Sequence, residues 1–118
     1  MDIKTYSELA LRTYKDMGDP IHNAMHMASG IAGESGEIID IVKKSFAYGK
    51  ALDRDHLIEE IGDEMWYLNG ILHVLGTTWD EVLAKNIAKL QARYPEGYTD
   101  YAATNRDKVA EKEAMTLY

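Results

Sequence analysis

The sequence predicts an all-α fold, an antiparallel four-helix bundle-like arrangement, and three observations predict it. Apolar residues recur every three or four positions along most of the 118 residues. Runs of β-branched residues with period two are missing. The segments between the periodic stretches are short, so successive helices run antiparallel. Only Pro20 and Pro95 interrupt the chain, and they bracket most of it. No repeat, low-complexity tract or Gly/Ser linker occurs. The length suits one domain over residues 1–118, with a core at 20–97 and a C-terminal loop and short helix at 98–118.

The first helix is predicted over roughly Ile3 to Asp16, with Leu9 and Leu11 among its apolar residues. "MGDP" ends it, because Gly18 permits a turn and Pro20 suits the first turn of a new helix. The second helix runs from about Pro20 to Phe46. Its apolar stripe is Ile21, Met25, Ala28, Ala32, Ile39 and Val42, with Ile31, Ile38 and Phe46 beside it. "AYGKALD" supplies a connection, and Asp53 suits the N-cap of the third helix, about Arg54 to Leu75. That helix places Leu57, Ile61, Met65, Leu68, Leu72 and Leu75 on one face. "GTTWDE" breaks the pattern, and Thr78 with Glu81 three residues on fits a capping box. A fourth helix continues to about Tyr94 and stops at Pro95. "EGYTDYAATNRD" then reads as a Tyr-rich loop, and "RDKVAEKEAMTL" as a short exposed helix.

Composition excludes several classes of function. The net charge of −7 repels nucleic acid, so no nucleic-acid partner is expected. No apolar run approaches a bilayer span, and "MDIKTYSELA" is polar and acidic early. Neither a signal peptide nor a membrane partner is expected. The chain has no cysteine, hence no disulfide and no thiolate zinc site, which is compatible with a cytoplasmic location.

Chemistry concentrates in "GESGEIID", residues 33–40, and "EEIGDEMWYL", residues 59–68. Glu34 and Glu37 are i, i+3 on the second helix and share a face; Glu60 and Asp63 do the same on the third. Both pairs are centred on the same point, between Tyr48 and Gly49, so a hairpin sets Glu34 level with Asp63 and Glu37 level with Glu60. Four carboxylates then converge at one depth. Like charges at that range raise their own pKa values and push the helices apart unless a cation joins them. An all-oxygen donor set calls for a hard divalent ion, Mg²⁺ or Mn²⁺. The chain has no Glu-x-x-His, so the ferritin-like di-iron pattern is excluded. A single ExxE in an acidic protein is commonly solvated surface. Two matched pairs flanked by apolar residues and glycines are not the usual surface pattern.

On the fourth helix Asn86, Lys89 and Arg93 follow i, i+3, i+7 spacing beside Leu83, Leu90 and Tyr94. That stripe is a candidate for binding an anionic group such as a phosphate, although basic residues at a helix end also suit its dipole. Lys43 and Lys44, a turn or two beyond the acids, are weaker candidates. Tyr67 shares the face of Glu60 and Asp63, with Trp66 nearby. His22 and His26 lie on the side of the second helix that carries Glu37 and Lys44.

These motifs carry a family resemblance. "GESGEIID" followed by "EEIGDEMWYL" resembles the paired ExxE and ExxD motifs of the MazG-like nucleoside triphosphate pyrophosphohydrolases. "KNIAKLQARYPEG" is similar to their fourth-helix segment. The likeness covers about residues 20–97 and looks like a small single-domain member of the kind found in phages and mobile elements. It implies an oligomeric helical bundle, a homodimer or homotetramer. It also implies Mg²⁺-dependent hydrolysis of a nucleoside triphosphate to monophosphate and pyrophosphate. Carried over by motif, the metal ligands are Glu34, Glu37, Glu60 and Asp63. Glu37 or Glu34 then takes the proton of the attacking water, and His22, His26, Trp66 and Tyr67 surround the base. Many relatives begin the first motif with two glutamates, whereas this chain has Gly33 in the first position. Two other classes stay open: a relative with a narrower substrate (dUTP, dCTP or phosphoribosyl-ATP), and a non-catalytic acidic helical interaction module.

Overall fold

Asp19 and Pro20 start the longest helix, α2, Pro20–Tyr48. The Asp19 carboxylate accepts the His22 N–H at 3.0 Å, and proline loses nothing at a position whose N–H has no helical partner. Gly49, in the left-handed region at φ 65°, ends it. In the computed structural model, which describes residues 1–117, Asp53 then caps α3, Arg54–Leu75, and Gly76 ends that helix at φ 69°. The chain divides into two compact units, Met1–Gly76 and Thr77–Tyr118. It is all-α, with no strand among the described residues.

In the first unit α1 spans only Ile3–Ala10, followed by a 3₁₀ turn at Leu11–Thr13, and does not reach Asp16 as predicted. The cause is a distant tryptophan. The Trp66 indole N–H donates to the Ala10 carbonyl at 3.1 Å and to Thr13 Oγ1 at 2.9 Å. The Tyr14 N–H, the normal α-helical partner of that carbonyl, bonds Leu11 instead. Asn69 adds a bond to the Ser7 carbonyl at 3.2 Å, so α3 anchors the short first helix.

The hairpin of α2 and α3 packs through a seam that the apolar pattern does not mark. Met27 and Ile41 are the buried apolar residues of α2, and Glu34 lies midway between them. Spacings of seven keep all three on one face. Met27 is 0% exposed and lies against Gly70, while the Tyr67 ring lies against Gly30. These two pairs are equidistant from a point between Tyr48 and Gly49, the centre shared by the acid pairs.

The predicted α2 stripe instead faces outward within this chain. Ile21, Met25, Ile39 and Val42 are exposed, and Phe46 is 91% exposed. On α3, Ile61 and Leu75 are also exposed, whereas Glu60, Asn69, Gly70 and Leu72 are buried. The physical reason is angular. The carboxylate face forms the helix–helix contact, so the stripe at 21, 25, 28, 32, 39 and 42 points elsewhere.

The close approach at Gly70 has a measurable consequence. A methyl group there overlaps the Met27 thioether, which has no solvent to move into. Overpacking costs about 1–3 kcal/mol, against a gain of about 1 kcal/mol in helix propensity. Gly70→Ala is therefore expected to lower the urea midpoint. Gly36→Ala, which adds a methyl group in open space, is expected to raise stability by about 0.5–1 kcal/mol. Equal midpoints for the two variants would contradict the tight seam.

The second unit holds α4, Trp79–Arg93, α5, Asp100–Thr104, and α6, Lys108–Met115. Thr78 caps α4 by accepting the Glu81 N–H at 3.3 Å, but the Glu81 carboxylate takes the Thr77 hydroxyl, so the capping box is half formed. α5 occupies part of the stretch predicted as a loop, started by Thr99, whose hydroxyl accepts from Ala102 N. The predicted exposed C-terminal helix is not free on all sides. Glu111 of α6 is buried, and both Arg93 and Arg106 reach its Oε1 at 2.8 Å. Hydrogen bonds from Arg106 and then Arg93 hold the Glu111 carboxyl down at about 2. Its contribution to stability is therefore present above the ordinary value of 4.5 and is lost as pH falls toward 2.

Candidate metal centre

The α2–α3 seam brings acids from both helices together. One carboxylate oxygen each from Glu34, Glu60 and Asp63 lies within 4.8 Å of the others. Glu60 is buried, Glu34 half-buried and Asp63 exposed, so the cluster is open on the Asp63 side. A hydrogen bond to Glu60 is the largest cause pushing the Glu34 carboxyl up to about 7. Burial adds to it, as do the charges of Glu60, Asp63 and Glu37. A proton kept on Glu34 relieves its repulsion with the neighbouring acids. Glu37 is not in the close trio, although its charge is felt at Glu34.

The surroundings hold these acids in place. His56 Nε2 lies 3.2 Å from Glu60 Oε1, one helical turn away. Ser35 Oγ donates to Glu64 Oε1 at 2.8 Å and ties α2 to α3 beside the cluster. The Tyr6 hydroxyl is pushed up by burial and by the charge of Asp63, so α1 also borders the acids. The donor set fits a hard divalent cation. It is all oxygen, it comes from two packed helices, and its carboxylates repel one another.

The other predicted residues separate into groups. His26 and Tyr67 make an edge contact at 6.3 Å, and Tyr67 meets Trp66 edge-on at 5.0 Å. The Trp66 N–H is committed to Ala10 and Thr13, so its polar end is structural. His22 pairs with its capping residue Asp19 at the start of α2. In the second unit Asn86 is exposed and Lys89 half-buried on α4. Arg93, predicted for phosphate, has its guanidinium on Glu111 and 5.7 Å above the Tyr94 ring. That unit does not present it as a free cation.

The family model of the MazG nucleotide pyrophosphohydrolase domain matches residues 23–98. The chain belongs to this family. A curated relative, the gene 37 protein of Mycobacterium phage L5, is 33% identical over 92 residues, covering 75% of this chain and 81% of that protein. No solved structure matches the chain. The MazG match takes in the acid trio, Glu37, the His26–Tyr67–Trp66 group and the α4 stripe. It leaves out His22, all of α1, and α6 with Glu111.

Sequence reasoning missed four contributors to this MazG chain: His56, Tyr6, the Ser35–Glu64 bond and Glu111. Only His56 left a local signal, its i, i+4 spacing to Glu60. Tyr6 and Glu111 act across distances in sequence that no periodicity reports. No helix among the described residues is long and apolar enough to cross a membrane.

Proposed function

We propose that this protein hydrolyses nucleoside triphosphates to monophosphate and pyrophosphate, with Mg²⁺ (or Mn²⁺) held by Glu34, Glu37, Glu60 and Asp63. The observation that carries the reading is the convergence of the Glu34, Glu60 and Asp63 oxygens within 4.8 Å on two packed helices of a MazG domain. A bound divalent ion supplies positive charge to the phosphate oxygens and acidifies water. The chain's own residues do the rest. Glu60, buried and bonded to His56, is the fixed donor. Glu34 or Glu37 accepts the proton of the attacking water. His26 and Tyr67 offer flat surfaces for the base. Positioning and charge stabilisation carry most of the rate enhancement, as in other phosphoryl-type transfers.

The test is a pyrophosphate-release screen over ribo-, deoxy- and modified nucleoside triphosphates with Mg²⁺ or with chelator. Release that needs the metal supports the reading, and a preference for dUTP or dCTP would narrow it. No release from any substrate would overturn it.

The reading includes a homodimer or homotetramer in the cytoplasm. Ile39, Val42 and Phe46 form an outward apolar face on α2, which a second copy covers. Sedimentation should find more than one chain per particle, and Phe46→Asp should shift the distribution toward monomer. A monomeric parent chain would refute this part.

A further inference from the structure

A cavity of about 180 Å³ lies where α2 ends and α3 begins, lined by Ile41, Lys44, Lys50, Ala51, Asp53 and His56. We infer that this cavity is the subsite for the pyrophosphate part of the substrate, held by Lys44 and Lys50 against the wall formed by His56. The inference rests on the proposed hydrolysis and adds a direction to it.

Position is the first argument. His56 is at once a wall of the cavity and the hydrogen-bond partner of Glu60, at 3.2 Å. The cavity therefore begins one helical turn, about 5.4 Å, from the acid cluster. Lys44 continues the α2 face that carries Glu34, Glu37 and Ile41. Side chains on a helix lean toward its N-terminus, which brings the Lys44 ammonium back toward the acids.

Charge is the second. Neither lysine has an ion pair among the described residues. The one carboxylate in the lining, Asp53, already accepts the His56 N–H as the α3 cap at 3.2 Å. Two ammonium groups without an ion pair thus line a partly open cavity in a chain of net charge −7. The volume equals that of about six waters, which suits a diphosphate group and is too small for a nucleoside as well.

Polarity along the helices is the third. From Glu34, the N-terminal direction of α2 leads past Gly30, where the Tyr67 ring packs, to His26. The C-terminal direction leads to the lysines. The acids lie between an aromatic end and a cationic end, which orients a nucleotide with its base toward His26 and its terminal phosphates toward the hairpin turn.

Calorimetric titration of inorganic pyrophosphate into the full chain with Mg²⁺ tests the assignment, using Lys44→Ala, Lys50→Ala and the double variant. Each alanine should weaken pyrophosphate about tenfold, the scale of one hydrogen bond to a charged group. KM for the triphosphate should rise in parallel, while affinity for Mg²⁺ alone and for nucleoside monophosphate stays unchanged. Arginine at the same positions should restore binding. A double alanine variant that binds pyrophosphate as the parent does would overturn the subsite, even with hydrolysis intact. Lysine-dependent pyrophosphate binding by a parent that hydrolyses no triphosphate would uphold the subsite and remove the proposed reaction.

Discussion

Glu60→Gln is expected to lower turnover about a hundredfold or more and to leave the fold intact. The magnitude follows from removing one fixed charge from a preorganised site, where such groups contribute about 10²–10³ in rate. Glu60 is the buried member of the trio, so solvent cannot replace its charge, and it also anchors the hydrogen bonds to His56 and Glu34. Glutamine keeps the shape and can maintain both bonds. Melting without metal should therefore change little, and the loss should lie in metal affinity and kcat. Glu59→Gln is the matched control. It is the adjacent acid of the same motif, it is exposed, and it lies outside the trio. Turnover by Glu60→Gln equal to that of Glu59→Gln would refute the metal centre.

The second large effect is the coupling of Mg²⁺ to pH. The Glu34 carboxyl is pushed up to about 7 from an ordinary 4.5, first by its hydrogen bond to Glu60. Between those values the metal-free folded chain holds a proton that the unfolded chain does not. Its contribution to stability is full below 4.5 and is lost as pH rises through 7. Mg²⁺ needs the carboxylate, so binding expels that proton and apparent affinity falls by up to about tenfold per pH unit below 7. Melting curves with and without Mg²⁺ should therefore diverge as pH rises from 5 to 8, with the metal stabilising most at the alkaline end. Calorimetry in buffers of different ionisation enthalpy should count a released proton at pH 6 and almost none at pH 8. An Mg²⁺ affinity that is flat over this range would contradict a raised Glu34 carboxyl in the metal-free cluster.

The candidate site was more legible than the core. Glu34, Glu60 and Asp63 could be placed by counting, because i, i+3 spacing fixes a helix face and a hairpin fixes which faces stand level. The core could not be placed by counting apolar residues. Ile21, Met25, Ile39, Val42 and Phe46 form the obvious stripe on α2, yet the buried residues are Met27 and Ile41, on the acid-bearing face. A periodicity shows which residues share a face. It does not show what covers that face, and an apolar stripe looks the same whether its partner is this chain or another copy.

Sequence by itself determined the helical class, α3 at Arg54–Leu75, the start of α2 at Pro20, and the pairing of two acid motifs. Each depends on local causes: caps at Asp19 and Asp53, left-handed glycines at 49 and 76, and spacing along one rod. Tertiary structure alone decided that Trp66 stops α1 at Ala10, that Glu111 engages Arg93, and that the end of α2 and the start of α3 enclose a cationic cavity beside His56. Contacts of this kind join groups far apart along the chain. Their geometry exists only once the helices have packed, so no reading of local pattern contains it.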